Sequence, residues 1–115
     1  MSKSYDLEDR TFQFAKNCRA LIKSLKSTLS NIEDVKQLIR SSGSVGPNYI
    51  EANEKLGQKD LIFRLKIARK EAKESLFWLK LLKEFNQEFA EIDELIKESV
   101  ELRKILSSII NKVQA

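Results

Sequence analysis

The chain has no histidine, one cysteine, one proline, three glycines and one tryptophan in 115 residues. Each shortage closes a class of fold or function. Without histidine there is no Ser-His-Asp triad and no imidazole-held metal, and the single thiol of Cys18 has no partner for an intramolecular disulfide. Turn residues this scarce cannot serve the many reversals of a β sandwich or barrel, which leaves an all-α class. No stretch approaches the roughly 18 uncharged apolar residues of a membrane span, and the charged start from Met1 to Arg10 has no apolar run behind it, so no membrane partner and no secretory signal are expected. A cytoplasmic protein is expected, in keeping with a lone thiol. Cys18 falls on an apolar stripe and reads as a small core residue rather than a nucleophile.

What is present is a 42% hydrophobic, 33% charged composition, apolar enough for a packed core and short enough for one domain over residues 1–115. Four segments carry helical periodicity. The first stripe is Leu7, Thr11, Phe14, Cys18, Leu21 and Leu25, predicting a helix from about Asp6 to Ser27. The second runs Ile32, Val35, Ile39, Ser42, Gly46, Tyr49 and Asn53, flanked by Leu38, Val45 and Ala52, opened by a capping-box spacing at Ser30 and Glu33 and ending near Gly57. The third is Leu61, Leu65, Ala68, Ala72, Ser75, Leu79 and Leu82, and the fourth Ile92, Leu95, Ser99, Leu102, Leu106, Ile109 and Val113, with a break at Asn86-Gln87. Short links force antiparallel neighbours, so the expected architecture is an up-down-up-down four-helix bundle, with Ala68, Ala72 and Ser75 allowing close approach of the third helix.

Pro47 lies inside the second pattern, where it removes a backbone bond and strikes the carbonyl four residues back at a cost of about 3 kcal/mol. A kink near Gly43-Pro47 is expected, with a break into two shorter helices as the alternative. A phosphate loop is excluded, because Gly43-Ser44-Val45-Gly46 lacks the Gly-Lys-Ser/Thr ending and follows no strand.

Carboxylates are the only acid-base groups left. A di-iron bundle site needs Glu-x-x-His pairs and is excluded, so no metal and no cofactor are expected. Glu51, beside the bend, and Glu71 and Glu74 on the third helix are placed to meet across the core, fixing register rather than doing chemistry. An enzyme working on carboxylates alone would have no base near neutral pKa, so no catalytic residue is assigned and a non-enzymatic protein is expected.

Charge is segregated along the chain. Residues 10–83 hold 16 basic and 7 acidic residues, net +9, and residues 84–115 hold 4 and 7, net −3. Lys16, Arg19, Lys23 and Lys26 recur at three- and four-residue steps in a segment free of acids, and Lys66, Arg69, Lys70 and Lys73 form a second band. Like charges so spaced repel, and a polyanion such as RNA or DNA would turn that repulsion into attraction through counterion release. These eight residues are the candidate nucleic-acid-binding set, and the other reading of them is a solvated face. A further apolar stripe, Phe63, Ile67, Phe77, Trp78 and Leu81, is rotated away from the core positions of the third helix and suggests a homo-oligomer interface or a docking face for another protein. A widened core is the other reading of that stripe.

The segments Ser44-Val45-Gly46-Pro47-Asn48-Tyr49-Ile50-Glu51-Ala52, Ile67-Ala68-Arg69-Lys70-Glu71-Ala72-Lys73-Glu74-Ser75 and Trp78-Leu79-Lys80-Leu81-Leu82 resemble the bacterial four-helix-bundle family named for 23S rRNA intervening sequences. The similarity spans nearly the whole chain. The family's pattern of a Ser, a Pro or Gly, then Asn-x-x-Glu and a small residue is met by Ser44, Gly46, Pro47, Asn48, Glu51 and Ala52, the last often Gly in relatives. The resemblance implies a compact antiparallel bundle of a kind found inside ribosomal RNA genes, with no enzymatic activity. The accessory protein of diversity-generating retroelements is similar, a basic pentameric barrel that engages nucleic acid and a reverse transcriptase; the resemblance implies a basic homo-oligomer here, with the basic residues matched by charge character only, and the retroelement role itself is not carried over. The function expected is therefore an oligomeric bundle binding RNA or DNA electrostatically, with a protein-interaction scaffold as the alternative.

Overall fold

Apolar side chains repeating every three and four residues are buried together only if the segment is helical, and each of the four patterns forms one helix. The computed structural model describes residues 3–54 and 56–115. In it α1 spans Lys3–Ser24, α2 Leu29–Ala52, α3 Gln58–Phe85 and α4 Glu91–Gln114. With connections of only four or five residues, successive helices reverse direction. Each helix packs on its sequence neighbours and α1 closes on α4, whereas the diagonal pairs α1/α3 and α2/α4 make no close backbone approach among the described residues. This is the up-down-up-down bundle. Of its 44 × 26 × 19 Å extents, the longest matches α3, whose 28 residues reach about 42 Å at 1.5 Å each.

The core is one continuous cluster drawn from all four helices, including Leu7, Phe14, Leu38, Leu65, Leu79, Leu102 and Leu106. Ala68, Ala72 and Ser75 are fully buried, and their small side chains let α3 lie close to its neighbours, as their spacing predicts. α1 and α2 also meet closely. A Cβ on Gly46 would stand 2.9 Å from Thr11 Oγ1, and one on Gly43 would stand 3.0 Å from Arg19 Nη2. Gly57, before α3, has φ +148°, a conformation that L side chains rarely adopt.

Several local expectations shift. α1 stops at Ser24, three residues short of Ser27, and the cap of α2 is Thr28, whose Oγ1 accepts the Asn31 N–H at 3.2 Å, so the Ser30–Glu33 spacing is not the cap. The first half of the α2 stripe is displaced by one residue: Asn31, Leu38 and Ser41 are buried, while Ile32 and Ile39 are exposed. The reason is polar pairing. Asn31 and Asn86 exchange two amide hydrogen bonds of 2.9 Å across α2 and α3 and also cap the Lys26 and Leu82 carbonyls. Ser75 Oγ lies 2.9 Å from Ser41 Oγ. Buried polar groups satisfied in pairs are tolerated in a core, and they set the rotation of α2. In α4 the buried residue is likewise Ile110 rather than Ile109.

α2 remains one helix through Pro47, which discards the two-helix alternative. The proline ring faces solvent and Gly43 loses its usual donor. Side chains brace the surrounding backbone: Ser44 Oγ donates to the Arg40 carbonyl at 2.7 Å, and Asn48 Nδ2 donates to the Ser44 carbonyl at 2.8 Å.

Candidate nucleic-acid interface

The carboxylates do not gather as expected. Glu51 is exposed, and the antiparallel register that sets Arg40 of α2 against Glu74 of α3 leaves Glu51 about eight residues, or about 12 Å, along the bundle from Glu71. Glu71 and Glu74 instead share Arg40, whose Nη2 donates to Glu74 at 2.6 Å while Nη1 lies 3.6 Å from Glu71 Oε1. Burial, the hydrogen bond shared with Glu74 and that neighbour's charge push the Glu71 carboxyl above the ordinary glutamate range, against the pull of Arg40 and Lys70. Burial acts upward on Glu74 too, but the hydrogen bond from Glu71 and the Arg40 charge outweigh it and hold Glu74 below its usual range.

The two carboxyls therefore act on stability with opposite signs. Glu71 holds its proton more tightly folded than unfolded, so its contribution is complete below the unfolded pKa and is lost as pH rises through the raised value. Glu74 contributes above the unfolded pKa and loses that contribution as pH falls through its lowered value. We expect the stability of Glu71→Gln relative to the parent chain to rise as pH goes from about 4 to about 7, upward from the ordinary glutamate pKa of about 4.3. Urea melts at several pH values measure this. A difference that stays flat would mean that Glu71 ionises normally.

Cys18 is fully buried, and burial pushes its thiol up to about 12, opposed by a hydrogen bond with Ser42 and the Arg19 charge. That is an inert thiol. Among the described residues no three His, Cys, Asp or Glu side chains gather to hold a metal ion, and no helix is long and apolar enough to cross a membrane.

The eight basic residues predicted as one set divide into two surfaces. Lys16, Arg19 and Lys23 are exposed on α1 and Lys26 is exposed in the connection after it, because the helix ends at Ser24; Arg19 leans across to α2 and donates to the Ile39 carbonyl at 3.5 Å. Lys66, Arg69, Lys70 and Lys73 lie on α3, the diagonal neighbour, so the two bands face opposite sides of the bundle. The α3 band converges with a residue that the charge pattern of the sequence does not reveal. Lys66, Arg69, Lys70 and Lys73 line a groove of about 350 Å³ together with Arg103 and Ser107 of α4. Arg69 Nη1 lies 3.4 Å from Ser107 Oγ, tying the α3 wall to the α4 wall. Among the described residues no carboxylate forms an ion pair with any of the five cations; the ion pairs lie elsewhere, as at Arg10–Glu98, Arg40–Glu74 and Lys83–Asp93. Arg103 sits in the acidic last third of the chain, where net charge masks it.

The apolar stripe of α3 also divides. Phe63 and Phe77 are each 58% exposed, whereas Ile67, Trp78 and Leu81 are half-buried, and Trp78 packs against the core. Phe77 meets Trp78 edge to face, with ring centres 4.9 Å apart and planes at 88°. Phe12 on α1, 65% exposed, is a further open aromatic outside that stripe.

A four-helix chain with a proline inside its second helix and this charge layout matches the model of the 23S rRNA-intervening sequence proteins over residues 3–108. The chain belongs to that family. A solved structure of a protein of unknown function from the S23 ribosomal protein family of Bacteroides thetaiotaomicron superposes with a TM-score of 0.85 at 33% identity, covering 96% of this chain and 99% of that one. No curated protein matches the chain. The residues that carry the family pattern have structural tasks here. Gly46 sits against Thr11, Ser44 and Asn48 brace the backbone around Pro47, and Asn48 Oδ1 lies 3.5 Å from Arg64 Nη1 of α3. Glu51 and Pro47 face solvent.

Proposed function

We propose that this member of the 23S rRNA-intervening sequence protein family is a non-enzymatic bundle that binds RNA or DNA through the phosphate backbone, with the α3–α4 groove as its primary contact. The observation that carries this reading is the convergence of Lys66, Arg69, Lys70, Lys73 and Arg103 on one groove with no carboxylate paired to them among the described residues. Five like charges held together repel, and an anionic polymer relieves that repulsion while releasing its condensed counterions. The guanidinium forks of Arg69 and Arg103 suit phosphate oxygens, and the lysines act as point charges beside them. No base-reading module accompanies the groove, so binding should be largely independent of sequence. The family's name and that of the similar structure's family refer to ribosomal RNA and the ribosome, in keeping with an RNA partner.

The test is a salt titration of binding to a labelled oligonucleotide. Four or five phosphate contacts give a slope of log affinity against log salt of about −3 to −4.5, at about 0.7 to 0.9 per contact. Affinity that does not change between low and high salt would refute the reading.

Exposed Phe63 and Phe77 favour a second reading, self-association or recruitment of another protein through α3, with Ile67, Trp78 and Leu81 beside them. A monomer by sedimentation at micromolar concentration would discard self-association, the pentamer implied by the family resemblance included.

A further inference from the structure

The cations and the open aromatics of α3 share one face. At about 100° per residue, Lys70 lies within about 20° of both Phe63 and Phe77 around the helix axis, with Lys66 and Lys73 about 40° and 60° further toward α4. Arg69, turned further still, reaches Ser107 of α4. The cations thus border the groove while the two rings stand on the outer shoulder of the same helix. Fourteen residues separate the rings, about 21 Å along the axis, a span of about six nucleotides in a stacked strand at 3.4 Å per phosphate. Phe77 is braced by its edge-to-face contact with Trp78, itself packed against the core, and remains 58% exposed.

We propose that the ligand of this groove is a single strand, whose phosphates follow Lys66, Arg69, Lys70, Lys73 and Arg103 while unpaired bases turn outward and stack on Phe63 and Phe77. The inference rests on the reading of the groove as a phosphate site and adds the strandedness of the ligand and the role of the rings. In a duplex the base faces are already covered by their neighbours, so only the phosphate contacts remain. A single strand offers both phosphates and open π faces, the pairing by which sequence-tolerant binders hold unpaired nucleic acid.

The experiment measures fluorescence anisotropy of a labelled 12-nucleotide RNA and of the duplex of the same sequence, at three salt concentrations, with the parent chain, Phe63→Ala, Phe77→Ala, the double variant and Phe77→Trp. Both rings are on the surface, and thermal melts confirm that each variant is folded. Loss of each ring is expected to weaken single-strand binding on the order of 10-fold, to leave duplex affinity and the salt slope unchanged, and to be reversed by Phe77→Trp at that site. Equal affinity of the double variant and the parent chain for the single strand overturns the inference, as does an equal loss for strand and duplex. Conversion of an oligomer to monomers by Phe77→Ala also overturns it, by making the rings a contact between copies of the chain. If the parent chain binds neither probe at low salt, the phosphate reading itself fails; if it binds both with a steep salt slope while the ring variants match it, only the stacking inference fails.

Discussion

Replacing Lys66 and Lys70 together with glutamate should lower affinity for a 12-nucleotide RNA on the order of 100-fold, whereas the same change at Lys16 and Lys23 should cost no more than a few-fold. On the proposed reading each lysine in the groove would stand a few ångströms from a phosphate, where two unit charges interact by about 1 kcal/mol in water. Reversing the charge exchanges attraction for repulsion, about 2 kcal/mol per site. Salt screening reduces the two sites together to about 3 kcal/mol, which is about 100-fold. The contrast with α1 comes from distance. α1 and α3 are diagonal in a bundle whose shorter extents are 26 and 19 Å, well beyond a screening length of about 8 Å, so charges on α1 contribute little to a strand seated between α3 and α4. Binding by the two double variants at one salt concentration checks this. Equal losses would mean that the nucleic acid wraps both faces, and loss only from α1 would move the site there.

Phe14→Ala should destabilise the bundle by about 3–5 kcal/mol, the upper range for truncating a single core side chain. Phe14 is 1% exposed in the one continuous core, and a cavity at its position would be bordered by helix backbone that cannot collapse far. A chain of this length has a total stability of about 6–17 kcal/mol, so the loss is a large share of the whole. The site also matters because α1 is the lightly held helix: its contacts with α2 and α4 are sparser than those joining α2 to α3 and α3 to α4. The variant should melt at least 10 °C lower, at about 4 °C or more per kcal/mol, as followed by circular dichroism. A shift of only a degree or two would mean that α1 contributes little to cooperative folding.

Both expectations draw on what the chain shows one segment at a time and on what appears only when the segments are brought together. Helix number and core membership were legible at Phe14, Cys18, Leu65, Ala72, Leu79 and Leu102, because periodicity along a single helix decides which face is apolar and an apolar face must be covered. The phase of α2 was not. A stripe judged alone places Ile32 inward, but Asn31 takes the buried position because its amide finds Asn86, 55 residues away. Thr28 likewise displaced Ser30 as the cap through where the chain turns, which local spacing alone did not show.

The candidate site follows the same division. The sequence by itself determined that the chain is helical, that the absence of histidine excludes a Ser-His-Asp triad and an imidazole-held metal, and that basic residues recur along the first and third helices, since composition and helical period depend on order along the chain alone. Only the tertiary structure decided that the α1 and α3 bands face away from each other, that Arg103 from an acidic segment completes the α3 groove, and that Phe63 and Phe77 stay exposed while Trp78 packs against the core. The cations of α3 and Arg103 become one groove through the packing of α3 on α4, and that adjacency is a property of the assembled bundle rather than of any one helix.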